Sequence, residues 1–151
     1  MYQQSQKTYF IVIAVYVVAA VFLLGLVFWP QAYNISQTSL AAKIALVIAT
    51  AVDLILFWSF SQLTVSLKED FLEFRFGIFK KRLAYNQILE ISVGDYDRKI
   101  FLGYGIRFGR DKSIGYIARG GRGVKIKTPV RDYYFSSDNP EAIIKLVRNK
   151  L

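Results

Sequence analysis

The chain has 151 residues, of which 54% are hydrophobic, and it carries a formal net charge of +9 at neutral pH. This length allows one ordinary domain with a membrane anchor and is too short for two full domains. Cysteine and histidine are both absent, which excludes disulfides, thiolate nucleophiles and the commonest general base and metal ligand. We therefore expect no enzyme, no metal site and no cofactor.

The charged residues are unevenly distributed along the chain. No charged residue lies in 8–42, and Lys43 and Asp53 are the only two in 43–60. The segment 62–151 carries eighteen of the twenty Lys and Arg and ten of the eleven Asp and Glu. One part of the chain is therefore apolar and the other is basic.

The apolar part predicts two transmembrane helices. Tyr9–Trp29 is an uncharged run whose length, at about 1.5 Å per residue, matches a hydrocarbon core of about 30 Å. A second run at 41–60 follows a short polar connector at 31–40, so we assign 1–61 to an antiparallel membrane hairpin. The alternatives are a secretory signal peptide, for which the first run is too long, and a buried hairpin in a soluble fold, where such long uncharged runs are rare.

The basic residues flank the two runs on one side. Lys7 precedes the first run, and Lys68 and Arg75 follow the second, whereas Lys43 is the only basic residue near the connector. Because Lys and Arg are enriched in cytoplasmic segments, we expect a multi-pass protein with its N- and C-termini in the cytoplasm.

Asp53 is the one acidic residue inside the predicted spans. A carboxylate near mid-bilayer costs about 2.5–3.5 kcal/mol, so it needs a partner or nearby water. Tyr16 lies at the matching depth of the first run, and we predict that its hydroxyl donates to Asp53 across the hairpin or in a dimer contact. The alternative is a proton or ion pathway, in which case the chain would be a small subunit of a channel or transporter.

From Leu63 onward the hydrophobic period changes to two, which predicts strands. A hairpin turning at 68–70 comes first, and Asn139 with Pro140 then starts a C-terminal amphipathic helix. An alternating segment with Leu89, Ile91 and Val93 on one face follows, and other short strands are predicted at 105–108, 114–118, 123–128 and 132–136. We predict that 62–151 is a mainly-β domain, a bent antiparallel sheet or partly open barrel of about seven strands, with the helix covering its open end.

Several segments resemble a known family. FGIFKKRLAYNQI at 76–88 resembles the glycine, basic strand and I-P-x-x-I-like segment of bacterial pleckstrin-homology-like (PH-like) membrane proteins, with Asn86 where a proline is frequent. RGGRGVKI at 119–126 and DNPE at 138–141 resemble a later region of that family, whose members also show two transmembrane helices before the domain. The resemblance implies a cytoplasmic PH-like domain at a bacterial plasma membrane and an interaction or assembly module rather than an enzyme.

Two basic clusters are candidate contacts for anionic lipid or a protein partner. Lys80, Lys81 and Arg82 are consecutive. Arg119 and Arg122 flank a glycine pair, which forms either a concave site for an anion or a solvated tight turn. The first predicted turn is net acidic, unlike that of phosphoinositide-binding PH domains, so only nonspecific attraction to anionic lipid is expected.

These features lead to one functional hypothesis and one alternative. The hypothesis is a membrane-anchored PH-like interaction module without catalytic activity, which self-associates or binds another membrane protein. The alternative is a peripheral sensor of anionic lipid headgroups. We expect no nucleic-acid partner, because the aromatic residues mostly alternate inward, and no phosphate-binding loop or nucleophile elbow supports an enzyme.

Overall fold

The computed structural model describes residues 2–29, 31 and 39–151, so most of the predicted connector lies outside the described residues. The described chain forms two compact units. One comprises the residues up to Tyr9 together with Phe60–Leu151, and the other is Phe10–Ser59. The first unit is β-rich and the second is helical.

The helical unit contains the two predicted long helices. Helix α1 spans Phe10–Phe28 and helix α2 spans Leu40–Phe60, which confirms both helices within one residue of the predicted bounds. Both are long and apolar enough to cross a membrane. Within α1 only Ala20 is buried, and large apolar side chains are exposed along both helices, which argues against the buried hairpin of a soluble fold.

The first sheet has four antiparallel strands in chain order. They are β1 (Tyr2–Lys7), β2 (Gln62–Leu67), β3 (Phe71–Phe76) and β4 (Phe79–Ala84). The pairing of β2 with β3 confirms the predicted first hairpin, whose turn lies at 68–70.

Strand β1 is not anticipated by the assignment of 1–61 to a membrane hairpin. Lys7 pairs with Gln62, and the Thr8 backbone amide donates to the Ser61 carbonyl oxygen at 3.0 Å. The segments that precede α1 and follow α2 are therefore neighbours in one sheet. The β-rich unit is therefore built from residues that precede and residues that follow the two helices in sequence.

The second sheet has five strands and one parallel pair. They are β5 (Glu90–Asp95), β6 (Gly105–Phe108), β7 (Ile114–Ile117), β8 (Arg122–Lys127) and β9 (Tyr133–Ser136), in the order β5-β8-β9-β7-β6. Strand β9 inserts between β7 and β8, so it is antiparallel to β8 and parallel to β7. The prediction of a wholly antiparallel sheet is wrong at this pair.

The predicted β-rich domain with a C-terminal helix is confirmed in this coarse form. The described residues make nine strands in two sheets, rather than about seven strands in one bent sheet, and they form no closed barrel. The two strands that raise the count, β1 and β4, lack the apolar alternation on which the prediction depended.

The main core lies between the sheets and the last helix. The Phe74 ring stacks on Phe135, with centroids 5.2 Å apart, and meets the edge of Tyr116 at 4.8 Å. Helix α3 (Pro140–Arg148) buries Ile143 completely. As predicted, Asn139 caps this helix, accepting a hydrogen bond from the Ala142 amide.

Candidate anion-binding face

The outer face of the first sheet, on the side opposite the core, carries most of the cationic side chains of that sheet. Alternate residues of β2 and β3 enter the core, and the intervening side chains point to the other side. The outer side chains include four cations and one carboxylate, which we call the basic face: Lys7, Glu73, Arg75, Lys80 and Arg82. Its formal net charge is therefore positive.

Arg75 and Lys80 lie directly opposite each other on β3 and β4. The two-residue turn Gly77-Ile78 fixes this register, and Gly77 has a φ of 49°, which glycine adopts without strain. Both side chains are exposed, and neither forms an ion pair within the described residues. Like charges directly opposite on a sheet destabilise it, and an anion between them relieves that repulsion.

The carboxylate of the basic face is already neutralised. Arg82 Nε lies 2.6 Å from Glu73 Oε2, and the Arg82 guanidinium also stacks over the Phe71 ring at 5.0 Å. Glu73 is buried, whereas Arg82 is more than half exposed. The pair holds Arg82 in place, and the other three cations have no ion pair among the residues that the structure describes.

Short neutral polar side chains separate these cations across the sheet. Gln62 donates to the Ser5 hydroxyl, and Ser5 Oγ lies 3.5 Å from Thr64 Oγ1. Thr64 pairs with Arg75 in the register of β2 and β3. A row of hydroxyl and amide groups therefore lies beside Arg75. Such groups hydrogen-bond to oxyanions.

Lys81 does not belong to the basic face, although the sequence groups it with Lys80 and Arg82. It pairs with Phe74 on the opposite side of the sheet, and its Nζ lies 5.0 Å from the centroid of the Tyr133 ring. Because strand side chains alternate between faces, a run of three cations divides between the two sides.

The second predicted cluster is engaged by acidic residues. Arg119 forms an ion pair with Asp138, and Arg122 forms one with Glu141, at the start of α3. All four side chains are about half exposed. These pairs favour a tight turn over an anion site here, and a role for the two arginines in binding stays a prediction.

The glycine loop between those arginines turns a carbonyl inward. The Gly121 carbonyl oxygen accepts from the Tyr96 amide at 2.7 Å and from the Tyr134 hydroxyl at 3.2 Å. Burial, with smaller contributions from the nearby Asp95 and Tyr96, raises the pKa of Tyr134 above its ordinary value. The neutral Tyr134 phenol therefore holds the glycine loop in place through its hydrogen bond to Gly121.

The predicted partners Asp53 and Tyr16 lie on the two long helices. The Tyr16 ring meets the edge of Phe57, one helical turn after Asp53, at a centroid distance of 6.4 Å. Asp53 Oδ2 is shielded and has no hydrogen-bond partner in the described part of the chain. No hydrogen bond joins Tyr16 to Asp53 there, so their pairing stays a prediction.

Two cations of the basic face are not predicted as part of a cluster from the sequence. Arg75 is detectable in retrospect, because it alternates with the core residues Phe74 and Phe76. Lys7 joins the face only through β1, whose sequence has no apolar period.

Comparison with known proteins does not assign the chain. No family model, no curated protein and no solved structure matches it. Its function therefore has to follow from the geometry of the described residues.

Proposed function

We propose that this chain is a membrane-anchored interaction module, without catalytic activity, that assembles with itself or with another membrane protein by binding an acidic segment of the partner to its basic face. The observation that carries the proposal is the opposed pair Arg75 and Lys80 on an exposed sheet face. A guanidinium recognises carboxylates through two parallel hydrogen bonds, and an ammonium beside it adds a second charge. An acidic segment of a partner supplies carboxylates for both the Arg75 guanidinium and the Lys80 ammonium.

Strand β1 supports the anchoring role. Because β1 precedes α1 and β2 follows α2, the sheet that carries the basic face contains both points at which the chain joins its long helices. The two helices have the length and composition to cross a membrane. A partner that reaches this sheet therefore has to be at the membrane or to come to it.

A second candidate function is contact with anionic lipid headgroups through the same face. The observation that favours it is the position of Lys7, which lies three residues before the start of α1. Each Lys or Arg close to an anionic membrane surface contributes about 1 kcal/mol of attraction. In this case the occupant between Arg75 and Lys80 is a phosphate group instead of a carboxylate.

We also propose what the family resemblance implies, that the β-rich domain is PH-like and that the chain lies in a bacterial plasma membrane with both termini in the cytoplasm. Two apolar helices followed by a β-rich domain with a C-terminal helix support this layout. Lys7 before α1 and the basic residues after α2 support the orientation. The parallel pairing of β7 and β9 departs from an all-antiparallel sheet.

Co-purification from the membranes of the source cell in mild detergent tests the main proposal. We expect a defined homo-oligomer or a membrane-protein partner with the wild-type chain, and its loss from the double variant Arg75→Glu and Lys80→Glu. The matched control, Arg110→Glu with Arg131→Glu, makes the same charge change at exposed residues outside the basic face. Equal retention by both double variants would contradict the proposal.

A labelling experiment separates the lipid candidate from the protein candidate. The full chain is placed in nanodiscs of neutral lipid or of neutral lipid mixed with phosphatidylglycerol. If headgroups occupy the face, the acylation rate of Lys80 falls in the anionic discs relative to Lys112, and salt reverses the fall. An unchanged ratio contradicts the lipid candidate and leaves the protein candidate standing.

A further inference from the structure

Two loops of the β-rich unit expose large apolar side chains. Ile78, in the turn between β3 and β4, is 62% exposed, and Leu102, in the segment between β5 and β6, is 70% exposed. Phe79 directly follows Ile78, Tyr104 lies two residues after Leu102, and both are partly exposed. We call these four residues the apolar rim.

One side of the rim packs on the residue that ends α2. The Phe60 ring stacks on Phe79, with centroids 5.4 Å apart and planes inclined by 22°, and it also contacts Phe76 at 5.5 Å. Gly105 also lies against Phe60, since a Cβ added at Gly105 would be in van der Waals contact with the ring at 3.5 Å. Ile78 therefore projects from a hairpin whose base is fixed beside the end of α2.

The other side of the rim packs on the residue that precedes α1. The Tyr104 ring stacks on Tyr9 at 5.2 Å and on Tyr96 at 5.8 Å. The Tyr96 hydroxyl hydrogen-bonds to the carbonyl oxygens of Phe101 and Gly103, at 2.9 and 3.0 Å. These bonds bracket Leu102 and hold it outward, so its exposure results from an ordered loop.

The strand register places the rest of this end of the unit. The Tyr9 amide donates to the Ala118 carbonyl oxygen at 2.7 Å, directly after β7. Gly105, which begins β6, pairs with Ile117 at the end of β7. The rim, Tyr9 and Phe60 therefore share one end of the β-rich unit.

We propose that the apolar rim inserts into the interface between headgroups and acyl chains of the membrane that α1 and α2 enter. The inference rests on the proposed membrane anchoring. The occupant is lipid because Tyr9 and Phe60, at which the chain leaves the β-rich unit for the proposed membrane spans, pack directly on the rim. Aromatic rings favour this depth of a membrane.

The chain offers a direct test because it contains no cysteine. Single variants Ile78→Cys, Val18→Cys and Val130→Cys of the full chain are labelled with an environment-sensitive fluorophore and reconstituted into phosphatidylcholine–phosphatidylglycerol vesicles. Val18 is exposed on α1 and reports on membrane anchoring. Val130 is 92% exposed in the turn between β8 and β9, at the end of the sheets away from the rim, and serves as the aqueous control.

We expect the probe at 78 to shift its emission to the blue and to be quenched by lipids carrying a nitroxide near the headgroup, and the probe at 18, in the middle of α1, to be quenched by lipids carrying the nitroxide in the acyl chain. Its shift should lie between those of the probes at 130 and 18. Quenching at 18 but not at 78 would overturn the rim proposal while anchoring stands. Quenching at neither position would overturn the anchoring, and shielding of 78 without lipid quenching would show a protein occupant and also overturn the rim proposal.

Discussion

Ser136 Oγ donates a 2.7 Å hydrogen bond to Gln6 Oε1, and both side chains are buried. The same hydroxyl accepts from the Ala118 amide at 2.8 Å, and the Gln6 amide donates to Asp138 at 3.0 Å. This network joins β1 to the end of β9 and to the start of α3. Polar contacts at Gln6 therefore add to the packing of Tyr2 on the core in holding the strand that precedes the first long helix.

We expect Gln6→Leu to lower the free energy of unfolding by about 1–3 kcal/mol, because it leaves a buried hydroxyl and a carboxylate oxygen without this partner. Gln3→Leu is the control, since Gln3 is exposed on the outer face of the same strand. Denaturant unfolding of the full chain in detergent measures both. Equal losses in the two variants would show that the network does not stabilise β1.

Gly123→Ala should destabilise the second sheet by about 1–3 kcal/mol, the usual range for overpacking. A Cβ at this position would lie 2.3 Å from the Phe135 carbonyl oxygen on β9, and backbone has little freedom to move. The control is Gly120→Ala in the adjacent loop, where the nearest atom, in the Tyr96 ring, is 3.4 Å away. Thermal unfolding compares the two, and a smaller effect at 123 than at 120 contradicts the packing described here.

Alkaline pH should weaken the fold through Tyr134. Burial raises its pKa above the ordinary value of 10.0, so the folded state keeps the phenol proton more tightly than the unfolded state does. The stabilisation is complete below pH 10 and is lost as the pH rises further. We expect unfolding free energy to fall less steeply above pH 10 in Tyr134→Phe than in the wild type, with a residual fall from Tyr85 and Tyr116, whose pKa values burial also raises. Identical slopes would contradict this assignment.

Removing the neutralising carboxylate should strengthen anion binding by the basic face. We expect Glu73→Gln to bind a polyglutamate probe up to about fivefold more tightly, because one added cation near an anionic surface contributes about 1 kcal/mol. Glu69→Gln changes the net charge equally but lies in the turn between β2 and β3. Titration calorimetry on detergent-solubilised protein distinguishes a local effect from a general one, and equal gains would count against the face.

Much of the fold is predictable because hydrophobic period reports which side of an element is buried. The long helices, the hairpin of β2 and β3, and α3 with its Asn139 cap follow from apolar runs, alternation and capping chemistry. Strand β1 fails this test because only Tyr2 of its inward side chains is apolar, and the other two, Gln4 and Gln6, bond to Ser137 and Ser136.

The candidate site is less predictable than the fold. Lys80 and Arg82 are visible as part of a basic run, but the run does not show that Lys81 points to the other face. The opposition of Arg75 and Lys80 depends on strand register, which the two-residue turn determines and composition does not. The parallel position of β9 depends on long-range pairing that no local period encodes.

Cross-linking in intact membranes tests the central claim most directly. A photoreactive group attached to the cysteine of Thr64→Cys lies beside Arg75 and removes no charge from the basic face. The same group on Val130→Cys, in a remote turn, is the control. We expect a discrete protein adduct, with a second copy or a membrane-protein partner, from position 64 that is absent from position 130 and lost when Arg75→Glu is added. Adducts with lipid alone, or the same products from both positions, would contradict it.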